Sequence, residues 1–269
     1  MNRMTDQRYL LEDQYRDPSN LQDRVRLHAR FSVNPRGWLP WVFDRFAFGK
    51  EARLLDLGCG TGDLWRVNRA RIPSGWEITL ADLSPGMLDA AATRLGKERF
   101  SYRVADAQDL PFDNDRFDGV IANHMLYHVP DRAQALGELR RVLRADGRLY
   151  AATNGPTDGI GLGAWVRQAL HQEDQRLQET TIDLFSLETG WTQLKRVFAS
   201  VVTHRYEDAF EITEVEPLIA YVRSTGGTLA SPDELDELRD AATMEIERHG
   251  CLRLAKNAGM FEASGRAKQ

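Results

Sequence analysis

The amino-acid sequence predicts an α/β protein built on a doubly wound, mainly parallel sheet. Three observations lead there. From residue 52 onward, short apolar runs ("RLLDLG", "EITLADL", "SYRVADA", "FDGVIAN", "RLYAATN") alternate with amphipathic stretches, which is strand-helix rhythm. Helix start signals fall between those runs, and regular β-α-β alternation implies parallel strands joined by crossover helices. The first run leads into a glycine-dense turn, "LLDLGCGTGDLW", at the place where such sheets bring backbone close to a ligand.

The elements follow in order. The first fifty residues read as helices. "SNLQDRVRLHARF" spaces Leu21, Val25, Leu27 and Phe31 at roughly helical intervals. "NPRGWLPWVFDRF" is dense in Trp and Phe and broken by Pro35, Gly37 and Pro40, so it is either an apolar packing flap or part of a lid. Residues 1–50 are therefore expected to form an N-terminal helical lid, and 51–269 the sheet domain. Ser84 with Pro85 gives one helix a cap and a proline at its first position. Asp131, with Gln134 three residues on, opens another that is expected to end near Gly147. After Asn154 the rhythm loosens. "GPTDGIGLGAWVRQALHQEDQRL" reads as a turn running into a helix, and residues 155–195 as a helical insertion over the sheet's carboxyl edge. "KRVFASVVTHRYED" reads as a late strand, and "SPDELDELRDAATMEIERHG" as a helix capped by Ser231. "CLRLAKNAGMFEA" reads as a closing strand pair or one bent strand.

Bulk composition narrows the class. A chain of 269 residues, 42% hydrophobic, has ample material for a core. A formal charge of -5 argues against a coat protein for nucleic acid. Cys59 and Cys251 make no disulfide framework, so a reduced, cytoplasmic compartment is expected. The charged N-terminal stretch has no apolar signal region, and no run approaches the ~20 apolar residues that span a bilayer.

The glycines Gly58, Gly60 and Gly62 form G-x-G-x-G, with Cys59 as the small residue between the first two. A dinucleotide fingerprint needs glycine at position 63, where Asp63 stands. An acid at a helix start is a poor neighbour for pyrophosphate. Twenty residues past Gly62, Asp82 ends the second strand, where a carboxylate can accept from a ribose diol. Asp106 ends the third, where an acid can take the exocyclic amine of adenine. The site thus asks for ribose and adenine without phosphate. No P-loop motif occurs, and no tyrosine has a lysine four residues later as short-chain dehydrogenases require.

Four segments in this order and spacing, "LLDLGCGTGDL", "ADLSPGML", "VADAQDLPFDNDRFDGVIANHMLYHVPD" and "LRRVLRADGRLYAATNG", resemble the class I S-adenosylmethionine-dependent methyltransferases, nearest the type 11 branch. They cover roughly 50–155. The resemblance implies a Rossmann-like, seven-stranded sheet and S-adenosylmethionine as cofactor. By position it implies that Asp56 and the loop Gly58, Cys59, Gly60 and Gly62 hold the methionine part. It implies Asp82 for the ribose, Leu83 and Met87 against the adenine, and Asp106, Ala107 and Gln108 around the adenine edge. Asn123, with His124 beside it, would meet the methionine ammonium.

"NHMLYHVP" follows the fourth strand, where the methyl should lie. His124 and His128 share one face if this segment is helical. A metal reading fails, because Met125 stands where a zinc protease has glutamate and no third ligand is visible. The choice is between packing and an acceptor-facing base or orienter, with His128 favoured over His124 and Tyr127 closing over the cofactor. His171 and His204 are weaker candidates. The residues lack the Asn/Asp-Pro-Pro-aromatic motif of nucleic-acid amino-methylases. Arg24, Arg26, His28, Arg30 and Arg36 are better read as a solvated helix face than as a nucleic-acid patch. Trp38, Trp41, Phe43, Phe46 and Trp165 point to an apolar or aromatic acceptor. The expected activity is methyl transfer to nitrogen, oxygen or carbon of a small molecule. The alternatives are a non-catalytic cofactor-binding regulator and, disfavoured by Asp63, an NAD-linked oxidoreductase.

Overall fold

The computed structural model describes residues 5–16, 19–157, 161–172, 184–225 and 229–267. Seven strands form one sheet: β1 (Glu51–Leu57), β2 (Gly75–Asp82), β3 (Phe100–Val104), β4 (Phe117–Asn123), β5 (Leu143–Asn154), β6 (Phe198–Ile212) and β7 (Leu252–Arg266). Their order is β3-β2-β1-β4-β5-β7-β6. All neighbours are parallel except β7, which runs antiparallel to both β5 and β6. "CLRLAKNAGMFEA" is thus part of one long strand. The order reverses between β1 and β4, which opens a crevice at their carboxyl ends.

Among the described residues, the α-helices of five residues or more are α1 (Ser19–Phe31), α2 (Trp38–Phe43), α3 (Asp63–Val67), α4 (Pro85–Leu95), α5 (Arg132–Val142), α6 (Leu162–Ala169), α7 (Gly190–Lys195), α8 (Val215–Ser224) and α9 (Leu235–His249). The Ser84 hydroxyl accepts from Met87 N at 3.3 Å and starts α4, and Asp131 accepts from Gln134 N at 2.9 Å and starts α5. The α5 helix stops at Val142, well short of Gly147. The Arg140 guanidinium turns back to Leu143 O at 2.8 Å and Arg144 O at 3.0 Å, which satisfies carbonyls as the chain leaves the helix for β5.

Adjacent residues of the strands feed opposite faces. Leu55, Val120 and Leu149 pack on one side with Leu136 and Leu139 of α5 and Leu194 of α7. Leu54, Ile121 and Tyr150 pack on the other with Trp65, Ala91 and Leu95. The first fifty residues divide between two tasks. Trp41, Val42 and Phe43 of α2 are buried in this second face and belong to the packing of the sheet. Leu27 and Phe31 of α1 join a separate core with Val166 of α6, Leu218 and Val222 of α8 and Leu238 of α9. That helical cap rests on Phe210, Ile212, Leu252 and Leu254. These residues lie where β6 and β7 stay paired beyond the last β5 partner, Asn154 opposite Ala258. Of the expected insertion at 155–195, positions 158–160 and 173–183 fall outside the described residues. Its α6 enters the cap, whereas Phe185, Leu187 and Leu194 pack on the sheet. Among the described residues no helix is long and apolar enough to cross a membrane.

Candidate active site

A cavity of about 390 Å³ lies outside the carboxyl ends of β1, β2 and β4, roofed by α1 and by residues 7–15. That size is in the range of sites that bury small organic ligands. The glycine turn forms its floor. Gly58 N and Cys59 N donate to Ala81 O at 2.8 and 3.1 Å, and Gly60 N donates to Asp82 Oδ2 at 2.9 Å. Gly58 has φ 70°, and a Cβ there would stand 2.7 Å from Met125 Cβ. The bare backbone therefore admits Met125 as well as a ligand. A Cβ on Gly62 would meet Leu95 at 2.6 Å, so this glycine serves the packing of α4 and does not line the cavity.

Two carboxylates are sunk into the floor. Asp56 is 2% exposed and accepts one hydrogen bond, from Trp65 Nε1 at 2.7 Å. Burial pushes its carboxyl up to about 7, against that hydrogen bond and helped by the nearby Asp82 charge. Burial also raises Asp82, although the backbone N–H groups of Ser84, Gly60 and Leu83 hold it down. Such a floor favours a cationic ligand. Asn123 Oδ1, at the end of β4, is buried without a hydrogen-bond partner among the described residues. It is an acceptor waiting for a donor. Asp63 also lines the cavity, but it pairs with Arg66 at 2.8 Å and Arg94 at 3.4 Å. That charge is therefore compensated.

Leu83, Met87, Asp106 and Ala107 line the adjoining end. Asp106 is already engaged. It accepts from Gln7 Nε2 at 2.8 Å, from Gln108 N at 2.9 Å and from Gln108 Nε2 at 3.1 Å. Gln108 lies off the cavity and acts as a bracket: its Oε1 accepts from Asp131 N at 2.9 Å, and its carbonyl from Gln134 Nε2 at 2.7 Å.

His124 and His128 do not share a helical face. His124 has φ 52°, and the chain then enters a short 3-10 turn over Leu126–His128. His124 lies against Trp38, ring centroids 5.2 Å apart. Burial, the Lys256 charge and His128 lower its pKa to about 4. His128 Nε2 lies 3.0 Å from the Tyr15 hydroxyl. The Tyr127 hydroxyl, which lines the cavity beside them, is pushed up by burial first and by Tyr15 second. His171 and His204 lie away from the cavity, the latter against Glu262 at 3.3 Å.

The reading of Arg24 and His28 as part of a solvated face is overturned. Both point from α1 into the cavity, beside Leu21 and Val25. His28 packs on Phe210 and Tyr221, and its pKa falls to about 3, by burial first and then the Lys256 and His124 charges. Lys256 is itself buried against Asp208 and donates to Ser32 Oγ at 2.7 Å. The expected aromatic wall is also different. Only Trp38 of the five aromatics named lines the cavity; Phe43 and Phe46 pack on Trp65, and Trp165 on the cap. Tyr15, Tyr127 and Tyr221 take their place. The helical spacing Leu21, Val25, His28 was the available signal for the inward face, masked by the basic residues interleaved with it. Among the described residues no group of three metal-ligating side chains converges.

Residues 55–151 match a family model described as a methyltransferase domain. Over 191 residues the chain is 34% identical to the malonyl-[acyl-carrier protein] O-methyltransferase of Geobacter sulfurreducens, covering 70% of this chain and 71% of that protein. It is 32% identical over 118 residues to the ubiquinone/menaquinone biosynthesis C-methyltransferase of Geotalea daltonii, 42% of this chain and 50% of that one. The match thus spans about half the length of this curated relative. The fold is similar to phosphoethanolamine N-methyltransferase 2 of Haemonchus contortus, solved with S-adenosyl-L-methionine, at a TM-score of 0.60 and 20% identity, covering 98% of this chain and 60% of that one.

Proposed function

The chain belongs to the class I S-adenosylmethionine-dependent methyltransferases, and on that footing we propose that it methylates a small-molecule acceptor at nitrogen, oxygen or carbon in the cavity over the glycine turn. The observation that carries this reading is the pair of cavity-floor carboxylates, the buried Asp56 and the part-buried Asp82, together with Asn123 Oδ1, which has no hydrogen-bond partner among the described residues. A ligand with a sulfonium and an ammonium meets that floor favourably, and a pyrophosphate does not. The cofactor, when bound, supplies an electrophilic methyl group.

The chain's own residues then have these proposed tasks. Asp82, already oriented by Gly60 N and Ser84 N, accepts from the ribose hydroxyls. Asp56 and Asn123 receive the ammonium, and the Gly58–Cys59–Gly60 backbone lets the amino-acid part approach. Leu83 and Met87 cover the adenine. Asp106 takes its amine once Gln7 moves aside, with Ala107 beside it. Acceleration rests on holding the acceptor in line and excluding water, which α1 and residues 7–15 do from above. Tyr127 closes the chamber, and His128 orients the acceptor or takes its proton through the ring that faces Tyr15. His124, with a pKa lowered to about 4, stays neutral and packs as a wall against Trp38.

The inward placement of Arg24 and His28 breaks the basic stripe of α1, which supports a small molecule over a nucleic acid as partner. The two unpaired cysteines support the cytoplasm as the compartment. The test is incubation with methyl-labelled S-adenosylmethionine and a metabolite extract. Label entering a small molecule, with S-adenosylhomocysteine formed in equal amount, is the expected result. Tight cofactor binding with no acceptor labelled in any extract would leave a regulatory protein.

A further inference from the structure

Among the described residues, Arg24 has no counter-ion. Its Nε donates to Ser224 Oγ at 3.1 Å, Nη2 to Ser224 O at 2.6 Å, and Nη1 makes a long contact of 3.4 Å to the Tyr15 hydroxyl. A guanidinium has five N–H donors, so two remain. Among the described residues no carboxylate lies within ion-pair distance of it, although the other arginines named in this site, Arg66 and Arg94, both hold Asp63. Arg24 nonetheless lines the cavity, in a ring of phenols from three separate elements: Tyr15, Tyr127 and Tyr221. A part-buried guanidinium that is hydrogen-bonded but lacks a counter-charge is incompletely compensated, and an anion that binds there supplies the missing charge.

The surroundings say which anion. The glycine turn is met one helical turn earlier by Leu21, whose Cδ2 would lie 3.3 Å from a Cβ on Gly60. Arg24 instead reaches toward His128: it donates to Tyr15, whose hydroxyl also bonds His128, and Tyr127, whose ring is 4.6 Å from that of His128, lines the same cavity. The phenol rings of Tyr15, Tyr127 and Tyr221 line the cavity around Arg24. We propose that Arg24 is the acceptor-selecting residue of this site, and that it binds the ionised oxygen of a phenolate-type acceptor whose ring lies among Tyr15, Tyr127 and Tyr221. This rests on the methyltransferase reading, and it narrows the acceptor to a planar hydroxy compound bound as its anion. Fork-shaped donation from Arg to an anionic oxygen is the stronger kind of hydrogen bond and discriminates against neutral analogues.

The probe is 4-nitrophenol, whose absorption moves to longer wavelength on ionisation, with 4-nitroanisole as the analogue that cannot ionise. Both are titrated into protein saturated with S-adenosylhomocysteine, at a pH below the free phenol's pKa. The expected result is the phenolate spectrum on binding to the wild type. Arg24→Met should weaken nitrophenol binding at least tenfold and leave the neutral spectrum, Arg24→Lys should keep part of the effect, and nitroanisole should not distinguish the variants. Ser224→Ala removes the structural bond that Arg24 makes and should preserve the phenolate signal. Three results overturn the proposal: nitrophenol bound as the neutral phenol, or not at all; equal affinity in Arg24→Met; or an Arg24→Met loss confined to S-adenosylhomocysteine, which would give the guanidinium to the cofactor's carboxylate. Failure of the wild type to bind S-adenosylhomocysteine would instead remove the methyltransferase reading itself.

Discussion

Consider Asp56→Asn. The native carboxyl is 2% exposed, accepts from Trp65 Nε1 at 2.7 Å, and has its pKa raised from 3.8 to about 7. Its folded pKa therefore exceeds the unfolded one. Its contribution to stability is fully present below about pH 4 and is lost as pH rises through about 7, because the folded chain must then hold a buried anion. A rise of about three in pKa, at ~1.36 kcal/mol each, puts the full loss at roughly 4 kcal/mol. Asparagine keeps an oxygen for Trp65 and removes the charge. The ligand-free variant should thus be more stable than wild type at pH 8, by an amount approaching roughly 4 kcal/mol, and the gain should vanish near pH 4. At ~2–4 °C per kcal/mol for a chain of this size, the rise in Tm at pH 8 is several degrees or more. The same change should weaken S-adenosylhomocysteine by about ten- to a hundredfold, since a charge-assisted hydrogen bond of roughly 1.5–3 kcal/mol is lost. Thermal unfolding at both pH values, with and without that ligand, measures all of this. A gain independent of pH, or a variant less stable at pH 8, would refute the electrostatic account of this residue.

Other outcomes follow from the same geometry. Gln7→Ala removes the amide that occupies Asp106, so S-adenosylhomocysteine should bind several-fold more tightly; weaker binding by calorimetry would mean that Gln7 holds the ligand and does not compete with it. Gly58→Val sets a Cβ at 2.7 Å from Met125 Cβ in a left-handed conformation, and should destabilise the fold by roughly 2–4 kcal/mol in addition to abolishing cofactor binding, as urea unfolding would read. His128→Ala should lower turnover by about 10²–10⁴ if the ring takes a proton, and raise KM alone if it orients; unchanged kinetics with an identified acceptor would remove it from the reaction.

The parallel half of the sheet was legible because its strands are short apolar runs closed by a glycine, an acid or an asparagine, with side-chain-capped helices after β2 and β4; the link from β3 to β4 holds no helix. Ser84, Pro85 and Asp131 act where their residue types say they should. Asp56, Asp82, Asp106 and Asn123 were legible for a related reason: each stands at a strand's carboxyl end, and the crossover rule alone brings those ends to one crevice. The roof was not legible. Arg24 and His28 sit among exposed basic residues, and their inward direction depends on α8 and on the β6–β7 extension, which are far away in sequence. Phe43 and Phe46 misled in the opposite sense, because an aromatic in a core and one in a ligand wall look alike until the neighbours are known. The position-7 contact to Asp106 had no sequence signal at all, since it joins residues 99 apart through one flexible amide.

The central claim, that the cavity over Gly58 and Gly60 is built for a cationic adenosine sulfonium cofactor and against a phosphate, is tested most directly by titration calorimetry of the unmodified protein. S-Adenosylmethionine and S-adenosylhomocysteine should each bind at one site per chain and compete with each other, and NAD should give no heat in the same range. Equal or tighter binding of NAD, or the absence of binding by both adenosyl ligands, would contradict it.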